Sequence, residues 1–470
     1  MARRGNTSLK AREDHTGPFV NHEAALDFLN SRVNFEQRPA PTIPSESFKL
    51  DRMHALVKEL GDPHLAVPVV HIAGSKGKGS TCAMLESCLR SSGYTTGLFT
   101  SPHLVDARER VRINGVMVSK EVFDESLLAC RDAADAIAEK HGHASYFELL
   151  TALAFVTFAQ QAVDVVILET GLGGRLDCTN VVTPAVVGLT SIQLEHTDVL
   201  GDTLEKIAGE KAGIMKTGVR AVSVPQDEDV VKVFRDRAAE IGCELTLLGE
   251  DLLYSCRFQS GTVNGPHPRV CIGQGEDCFE HMSVPLLGEH QGANCGLALA
   301  IVMVLREHGF DLPERQIIAG LSHTKRDGRL ELIKERPKIM IDGAHTPDSV
   351  RETLNAVSQQ VEFDSLVIVF GCSADKRVDE MLEELLVRAD KVVFTSASNN
   401  ARAMDPVELA ARFTKISGKA CESYPDTKRA INAAGKSIGS TDLILILGSF
   451  YLAGEVKLLF EAKQQQAKQH

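Results

Sequence analysis

The chain has 470 residues, of which 43% are hydrophobic and 24% are charged, a composition typical of folded globular proteins. These values exclude a disordered chain, a collagen-like repeat and a small disulfide-bonded protein, and the length favours two or three domains. The net charge of −12, with no run of basic residues, argues against nucleic-acid or membrane-surface binding, because phosphate groups are bound by clustered cations.

Residues 1–20 carry several cations but no apolar segment, so we expect a loose tail and not a signal peptide. The 11 cysteines are odd in number and form no C-x-x-C pair. This pattern indicates reduced thiols, not disulfide bonds or a zinc site. We therefore predict a cytoplasmic protein.

Short β-branched runs alternate with longer helical patterns along the chain. In the first part we predict strands at 67–74, 163–171, 185–192 and 219–225, and helices at 78–91 and 146–162. This alternation favours a mostly parallel sheet with helices on both faces. Between residues 242 and 281, short alternating segments rich in Gly and Pro predict a small β excursion.

A second α/β unit follows a predicted helix at 292–309. Its strands are predicted at 338–345, 365–371, 391–397 and 442–449. Such a unit is of normal domain size. The polar stretch 322–327 marks the boundary, so we predict an N-terminal domain over 1–323 and a C-terminal domain over 324–470.

The strongest local signal is the glycine-rich turn within His71–Thr81, between a predicted strand and a predicted helix. Backbone N–H groups of such a turn can point at a phosphate, and the helix N-terminus adds a favourable dipole. Lys78 can reach the terminal phosphates, and Ser80 or Thr81 can face a metal ion. The pattern differs from G-x-x-x-x-G-K-[ST], because Gly79 follows the lysine. A glycine-rich loop without a ligand is the alternative.

The loop G-S-K-G-K-G-S (74–80) resembles the shortened phosphate loop of the Mur ligase superfamily, and within it that of folylpolyglutamate synthases and dihydrofolate synthases. The resemblance continues in order from about Leu26 to Leu452. Its further motifs are T-S-P-H-L (100–104), Y-F-E-L-L-T (146–151), E-T-G-L-G-G-R-L-D-C-T-N (169–180), E-H-T with L-G (195–197, 200–201), E-K-A-G-I (210–214), G-E-H-Q-G-A-N (288–294), R-D-G-R-L-E (326–331) and D-G-A-H-T-P (342–347). It implies an α/β fold with two domains: a P-loop-type, mostly parallel sheet flanked by helices, and a Rossmann-like C-terminal domain.

The resemblance implies metal binding at Ser101, Glu169 and His196, because these positions match the Mg²⁺ ligands of the family. Glu169 ends a predicted buried strand, where an ionised carboxylate is costly unless it is paired or metal-bound. Ligands also lie at the carboxyl ends of strands in open α/β sheets. For His196 alone, a surface histidine is the simpler interpretation.

Lys211 resembles the lysine that family members carbamylate with CO₂, which converts a cation into an anion able to hold a second Mg²⁺. An ordinary surface lysine is the alternative. The resemblance also implies ATP contacts and catalytic groups. The ATP-binding residues are Gly77, Lys78, Gly79, Ser80, Asn294, Arg329 and Asp342, and the catalytic residues are Lys78, Lys211 and His345.

Pterin contacts are implied at two segments of the first domain. These residues are Thr100, Tyr146, Phe147, Glu148, Leu176, Asp177 and Cys178. Glu148 could instead cap its helix. Three departures from the family pattern stand out: Lys76 replaces an Asn, Lys-Arg-Asp (325–327) stands where a Trp-Pro pair precedes Gly-Arg, and Thr346 replaces an Asn.

The implied reaction is ATP-dependent formation of an amide bond between a pterin carboxylate and L-glutamate through an acyl phosphate. The R-L-D segment (175–177) resembles enzymes that also use dihydropteroate, so we predict a bifunctional dihydrofolate synthase and folylpolyglutamate synthase. A monofunctional folylpolyglutamate synthase and a regulatory P-loop protein without ligase activity are the alternatives. The expected partners are ATP, L-glutamate, dihydropteroate, folates and two Mg²⁺ ions, and we expect a monomer.

Overall fold

The computed structural model describes residues 17–36, 50–259, 267–275 and 277–469. Most of the N-terminal segment in which we predict no signal peptide therefore lies outside the described residues. In the described part, an eight-stranded sheet and a three-stranded sheet are followed by a six-stranded sheet. No helix within those ranges is long and apolar enough to cross a membrane.

The large sheet has the strand order β4-β3-β2-β5-β1-β6-β7-β8. From β2 to β8 along this order the strands are parallel, whereas β3 and β4 add an antiparallel edge. The central strands are buried along their whole length, as expected for a parallel sheet covered on both faces. The strands are β1 (Val69–Ala73), β2 (Thr96–Phe99), β3 (Val111–Ile113), β4 (Val116–Met117), β5 (Val165–Glu169), β6 (Val186–Leu189), β7 (Arg220–Ser223) and β8 (Glu244–Leu247).

Helices cover both faces of this sheet. They are α1 (His22–Asn30), α2 (Leu50–Glu59), α3 (Lys78–Ser91), α4 (Lys120–His141), α5 (Tyr146–Gln160), α6 (Thr197–Leu200), α7 (Leu204–Ala212), α8 (Glu228–Ile241), α9 (Gln291–Glu307) and α10 (Glu314–His323). One face of the central strands packs against α3, α9 and α10. The opposite face packs against two groups of helices, α2, α4 and α5 in one group and α7 and α8 in the other. Neighbouring residues of β1, such as Val69 and Val70, enter opposite cores because side chains alternate along a strand.

The predicted β excursion is present as an antiparallel sheet that packs on α9. Its strands are β9 (Leu253–Gln259), β10 (His267–Gln274) and β11 (Asp277–Ser283). The predicted range of 242–281 also included β8, which instead pairs with β7 and extends the large sheet.

Helices α3 and α10 are in direct backbone contact. Ser87 Oγ donates a hydrogen bond to the carbonyl oxygen of Gly320 at 2.7 Å. A Cβ atom on Gly320 would lie 2.5 Å from Cα of Cys88, so only glycine allows this approach. The helix that begins in the phosphate loop is therefore fixed to α10.

The second unit is a six-stranded sheet of order β12-β13-β17-β14-β15-β16, parallel except for β12. Its strands are β12 (Glu331–Glu335), β13 (Lys338–Ile341), β14 (Leu366–Phe370), β15 (Lys391–Phe394), β16 (Glu422–Ser423) and β17 (Leu443–Leu447). Helices α11 (Pro347–Gln360), α12 (Val378–Arg388) and α13 (Pro406–Ser417) cover one face, and α14 (Thr427–Lys436) and α15 (Phe450–Gln469) cover the other.

The segment between the two units begins after α10, which ends at His323, and stops where β12 begins at Glu331. The predicted domain boundary at 323/324 falls at its start and stays a prediction. Asp327, in this segment, forms ion pairs with Arg112 on β3 and with Lys457 on α15. One carboxylate thus links the large sheet to the last helix of the chain.

Candidate active site

The phosphate loop connects β1 to α3 at the carboxyl edge of the large sheet. Gly77 precedes the helix with φ +94°, and no side chain caps the first turn, so the N–H groups of that turn can receive an anion. Lys78 Nζ donates to the carbonyl oxygen of Gly74 at 2.8 Å. A Cβ atom on Gly77 would overlap with the side-chain amide of Asn294. The predicted nucleotide-binding residues of loop and α9 are therefore neighbours.

The next two predicted residues, Gly79 and Ser80, lie buried in the first turn of α3. A Cβ atom on Gly79 would overlap with the guanidinium group of Arg326. Our sequence analysis noted the residues 325–327 only as a departure from the family pattern. It gave no indication that Arg326 reaches back to the phosphate loop.

Ser101 and Glu169 are in contact at the ends of β2 and β5. The backbone N–H of Ser101 donates to Oε2 of Glu169 at 3.1 Å. Glu169 is only 3% exposed, and within the described ranges this is its one hydrogen bond and it has no ion pair. A buried carboxylate with one hydrogen bond and no ion pair keeps acceptor positions that a cation can fill. Together with the Ser101 hydroxyl it suits Mg²⁺, which prefers oxygen ligands and retains waters.

His196, the third predicted metal ligand, begins α6 with a φ of +46°. Left-handed backbone is costly for a residue other than glycine and is typical of functional sites. Burial lowers the pKa of the imidazole, and the nearby lysines 78 and 211 lower it further against the opposing charge of Glu195. Within the described ranges the ring makes no hydrogen bond with Ser101 or Glu169.

Lys211 lies beneath the phosphate loop with 1% of its side chain exposed. Its Nζ donates to the carbonyl oxygen of Gly74 at 2.8 Å and to Oε1 of Glu195 at 2.9 Å. Burial lowers the pKa of this lysine to about 8, whereas Glu195 raises it. For Glu195, burial raises the pKa, but the lysines 211, 78 and 76 outweigh it and lower the pKa to about 2. Our sequence analysis did not select Glu195, although it directly precedes His196.

The second sheet contributes Asp342 at the end of β13. Its Oδ2 accepts from the N–H of Leu330 at 2.9 Å, and its Oδ1 accepts from the N–H of Ala344 at 2.7 Å. The carboxylate therefore holds the segment that carries Arg329 against the loop that carries His345. Burial raises its pKa, and Arg329 opposes this effect. The guanidinium carbon of Arg329 lies 4.6 Å from the ring centre of Phe450.

His345 is held as a neutral ring. Its Nδ1 lies 2.8 Å from the carbonyl oxygen of Gly343, and because a carbonyl can only accept, Nδ1 carries the hydrogen. Burial lowers the pKa of His345 to about 3, and the charge of Lys76 on the phosphate loop adds to this. The Nε2 atom is therefore an acceptor, in a region where the two domains meet.

The two predicted pterin segments lie against each other. A Cβ atom on Gly171 would overlap with the ring of Phe147, and the charge of Glu148 acts on Cys178, whose pKa burial raises. Leu176 is half-buried between them, and Thr100 and Tyr146 are buried. The two segments are thus brought together.

Two carboxylates of these segments are fully used by the protein itself. Glu148 completes a capping box with Ser145, and its carboxylate accepts from Nε of Arg52 at 2.8 and 3.0 Å. Glu148 therefore caps its helix, as the alternative interpretation of the sequence proposed. Asp177 accepts from the N–H groups of Leu172 and Thr179. Both residues shape the walls of the site, and their contact with a substrate stays a prediction.

Among the described residues, no group of three or more His, Cys, Asp or Glu side chains is placed to hold a metal ion. This does not conflict with a Mg²⁺ site, because Mg²⁺ binds through one or two carboxylates together with waters and substrate phosphates. The Ser101–Glu169 pair beside the phosphate loop is a donor set of that kind.

Two family models match the chain. The Mur ligase middle domain matches residues 72–302, and the glutamate ligase domain of Mur ligases matches residues 328–450. The predicted boundary lies between the two matches.

Curated relatives and solved structures agree with these models. The dihydrofolate synthase/folylpolyglutamate synthase of Bacillus subtilis is 31% identical over 93% of this chain and 99% of its own length. The folylpolyglutamate synthase of Arabidopsis thaliana is 35% identical over 78% of this chain and 65% of its own. The Mycobacterium tuberculosis folylpolyglutamate synthase complexed with ADP and AMPPCP has a TM-score of 0.82 at 30% identity, covering 94% of this chain and 99% of that one. E. coli FolC in complex with DHPP and ADP has a TM-score of 0.80 at 28% identity, covering 96% and 100%.

Proposed function

The chain belongs to the folylpolyglutamate synthase family of the Mur ligase superfamily and is an ATP-dependent ligase, and on this premise we propose that it joins L-glutamate to the carboxylate of a pterin substrate. The observation that carries the proposal is that the phosphate loop lies against the segment that leads into the second domain: a Cβ atom on Gly79 would overlap with the guanidinium group of Arg326. A nucleotide bound at the loop is then flanked by groups of both domains.

In the first step, an oxygen of the pterin carboxylate attacks the γ-phosphorus of ATP. The bond from that phosphorus to the bridging oxygen breaks, ADP leaves, and an acyl phosphate forms. Lys78 and the uncapped N–H groups of the first turn of α3 stabilise the negative charge on the transferred group. This activation is needed because a free carboxylate does not react with an amine in water.

Ser101, Glu169 and His196 are the residues that would hold Mg²⁺ in this site. When bound, the ion polarises the phosphoryl oxygens as a Lewis acid. The poorly compensated carboxylate of Glu169 supports this assignment.

In the second step, the amine of L-glutamate attacks the acyl carbon, phosphate leaves and the amine nitrogen loses a proton. We propose that Nε2 of His345 accepts a hydrogen bond from the attacking amine and so orients it, since its Nδ1–H is committed to Gly343. Closure of the two domains over the site would exclude the water that hydrolyses an acyl phosphate.

We further propose that Lys211 is carbamylated. Its lowered pKa provides the free amine that adds to CO₂. The product replaces a cation with an anion directly beside Glu195, and two adjacent anions at the phosphate loop are suited to a second Mg²⁺.

We infer that the enzyme is bifunctional, acting as a dihydrofolate synthase and as a folylpolyglutamate synthase. Arg175, Leu176 and Asp177 match the form that the family shows in enzymes using dihydropteroate, and the B. subtilis relative carries both names. The A. thaliana relative carries only the second name, so a monofunctional enzyme is the alternative.

The test is a substrate panel on purified protein with MgATP and L-glutamate. Dihydropteroate and tetrahydrofolate are supplied separately, and ADP release and product masses are measured. We expect glutamate-dependent ADP release with both and a mass gain of one glutamyl residue. Activity with tetrahydrofolate but not with dihydropteroate would identify a monofunctional folylpolyglutamate synthase. ATP turnover that does not depend on glutamate would contradict the ligase assignment. Lys78→Ala should lower the rate by about 10²-fold or more.

A further inference from the structure

Arg326 occupies the space beside Gly79 in the first turn of α3. In the ordinary phosphate loop, the residue after the lysine is Ser or Thr, and its hydroxyl binds the metal beside the β- and γ-phosphates. Here that residue is glycine, and a Cβ atom on it would overlap with Nη2 and Cζ of Arg326. A guanidinium from the segment between the domains therefore lies where the usual side chain would begin.

This guanidinium has no anionic partner in the part of the chain that the structure describes. Arg326 makes no hydrogen bond or ion pair there, and its Nε is buried without an acceptor. The adjacent carboxylate of Asp327 is engaged by Arg112 and Lys457. A partly buried guanidinium that makes no hydrogen bond or ion pair has donors that an anion can occupy.

The surroundings of Arg326 point to the reacting end of the nucleotide. The residue lines a small cleft with Thr100, Pro102 and Phe450, next to the loop that carries Ser101. The carboxylates of the same cleft are already engaged: Glu109 accepts from the N–H groups of residues 104–106, and Asp327 is paired with Arg112 and Lys457. Burial raises the pKa of the Cys82 thiol, one turn along α3, and Glu169 raises it further, whereas Arg326 and Lys78 oppose this effect.

A second arginine lies close by. Arg329 is positioned over Phe450; burial lowers its pKa and Arg326 lowers it further, against the opposing charges of Asp342 and Glu169. Only Arg326 packs against Gly79. The planar fork of an arginine suits a phosphate because it can donate two parallel hydrogen bonds.

We propose that Arg326 is a phosphate-binding residue of this ligase, which contacts the γ-phosphate of ATP and the same phosphoryl group after its transfer to the substrate carboxylate. The proposal rests on the proposed function for the identity of the anion. It assigns a role to a residue that stands where the family pattern has an aromatic or proline side chain.

The test compares nucleotide affinities of Arg326→Met and wild-type protein by calorimetry in Mg²⁺, using ADP and the non-hydrolysable analogue AMPPCP as probes. We expect Arg326→Met to lose about tenfold or more in affinity for AMPPCP, and less than about twofold for ADP. Arg326→Lys, which retains the charge but not the fork, should show an intermediate loss. Arg315→Met, at an exposed position of α10, should bind both nucleotides as the wild type does.

Equal affinities of Arg326→Met and wild type for AMPPCP would overturn the proposal, and so would equal losses for AMPPCP and ADP, because either result excludes a selective contact with the γ-phosphate. If Arg326→Met does not fold, the Arg326→Lys comparison decides in the same way. Binding is measured without pterin or glutamate, so the outcome is independent of the substrate panel. If the wild type is an active ligase but Arg326→Met shows no selective loss of affinity for AMPPCP, only the role of Arg326 is refuted.

Discussion

Nζ of Lys211 donates to Oε1 of Glu195 at 2.9 Å in a pocket sealed beneath the phosphate loop. Burial is the main reason that the pKa of Lys211 falls to about 8. The fraction of free amine near neutral pH is therefore far larger than for an exposed lysine, whose pKa lies near 10.4. The same amine is held against the backbone of Gly74, so any change in its charge is felt directly by the phosphate loop.

We predict that Lys211 takes up CO₂. Wild-type protein equilibrated with ¹³C-bicarbonate near pH 8 should give a carbamate resonance by ¹³C NMR, and Lys211→Arg should abolish it because the guanidinium does not react. Lys232→Arg, at an exposed position of α8, is the matched control and should retain the signal. A resonance that persists in Lys211→Arg would assign the carbamate to another amine.

Replacing Glu169 should separate stability from activity. Glu169→Gln removes a buried charge that has one hydrogen bond, so in EDTA the thermal midpoint of the variant should rise, while its apparent affinity for Mg²⁺ in the ligase assay should fall about 10-fold or more. Glu148→Gln should instead destabilise the protein and lower its free energy of unfolding by about 3 kcal/mol, because it leaves Arg52 without its carboxylate. If the thermal midpoint of Glu169→Gln in EDTA is lower than that of the wild type, the prediction that this carboxylate destabilises the metal-free protein is wrong.

Acid should destabilise the protein through His345. The unfolded chain binds a proton at this ring near pH 6.5 and the folded chain only near pH 3. The unfolded state therefore holds more protons between these values, and stability falls as pH drops below 6.5. Between pH 7.5 and 5.5, wild type should lose about 1.4 kcal/mol relative to His345→Gln in urea unfolding. His323→Gln, at an exposed position, should show no such difference, and parallel pH profiles for wild type and His345→Gln would exclude the effect.

Asp327 should hold the two domains together. Asp327→Asn removes ion pairs to both Arg112 and Lys457 and should lower the free energy of unfolding by about 1 kcal/mol. Asp202→Asn breaks only the exposed pair with Lys206 four residues away and should cost less than about 0.5 kcal/mol. The comparison is made by urea unfolding at low salt, and a cost for Asp327→Asn no larger than for Asp202→Asn would show that the link contributes nothing.

Features set by local chemistry could be predicted from the sequence. Helix α3 was predicted at its observed bounds, because a glycine-rich turn fixes where it begins. Strand β2 was missed because Gly97 interrupts its short run. Its Cα packs against the ring of Phe158, and a Cβ there would lie 2.7 Å from that ring. Such a strand is specified by its neighbour across the core and not by its own residues.

For the candidate site, the sequence indicated which residues belong to it but not all of the contacts between them. Motif matches selected Ser101 and Glu169, which lie in contact. Nothing in the motifs indicated that Glu195 pairs with Lys211 or that Arg326 reaches Gly79, because these contacts join segments that only the folded chain brings together. The sequence showed Lys-Arg-Asp in place of Trp-Pro as a departure from the family pattern, and the structure places the arginine of this triplet against the phosphate loop.

The hydrogen bond from Ser87 to Gly320 and the close backbone approach at Gly320 hold α3 and α10 together. Any swing of the second sheet relative to the first must then pivot beyond His323, within the stretch that precedes β12. Arg326 already contacts Gly79, whereas the segment carrying Arg329 is bonded to Asp342 of the second sheet, so such a movement would change the distance between the two positive charges beside the nucleotide.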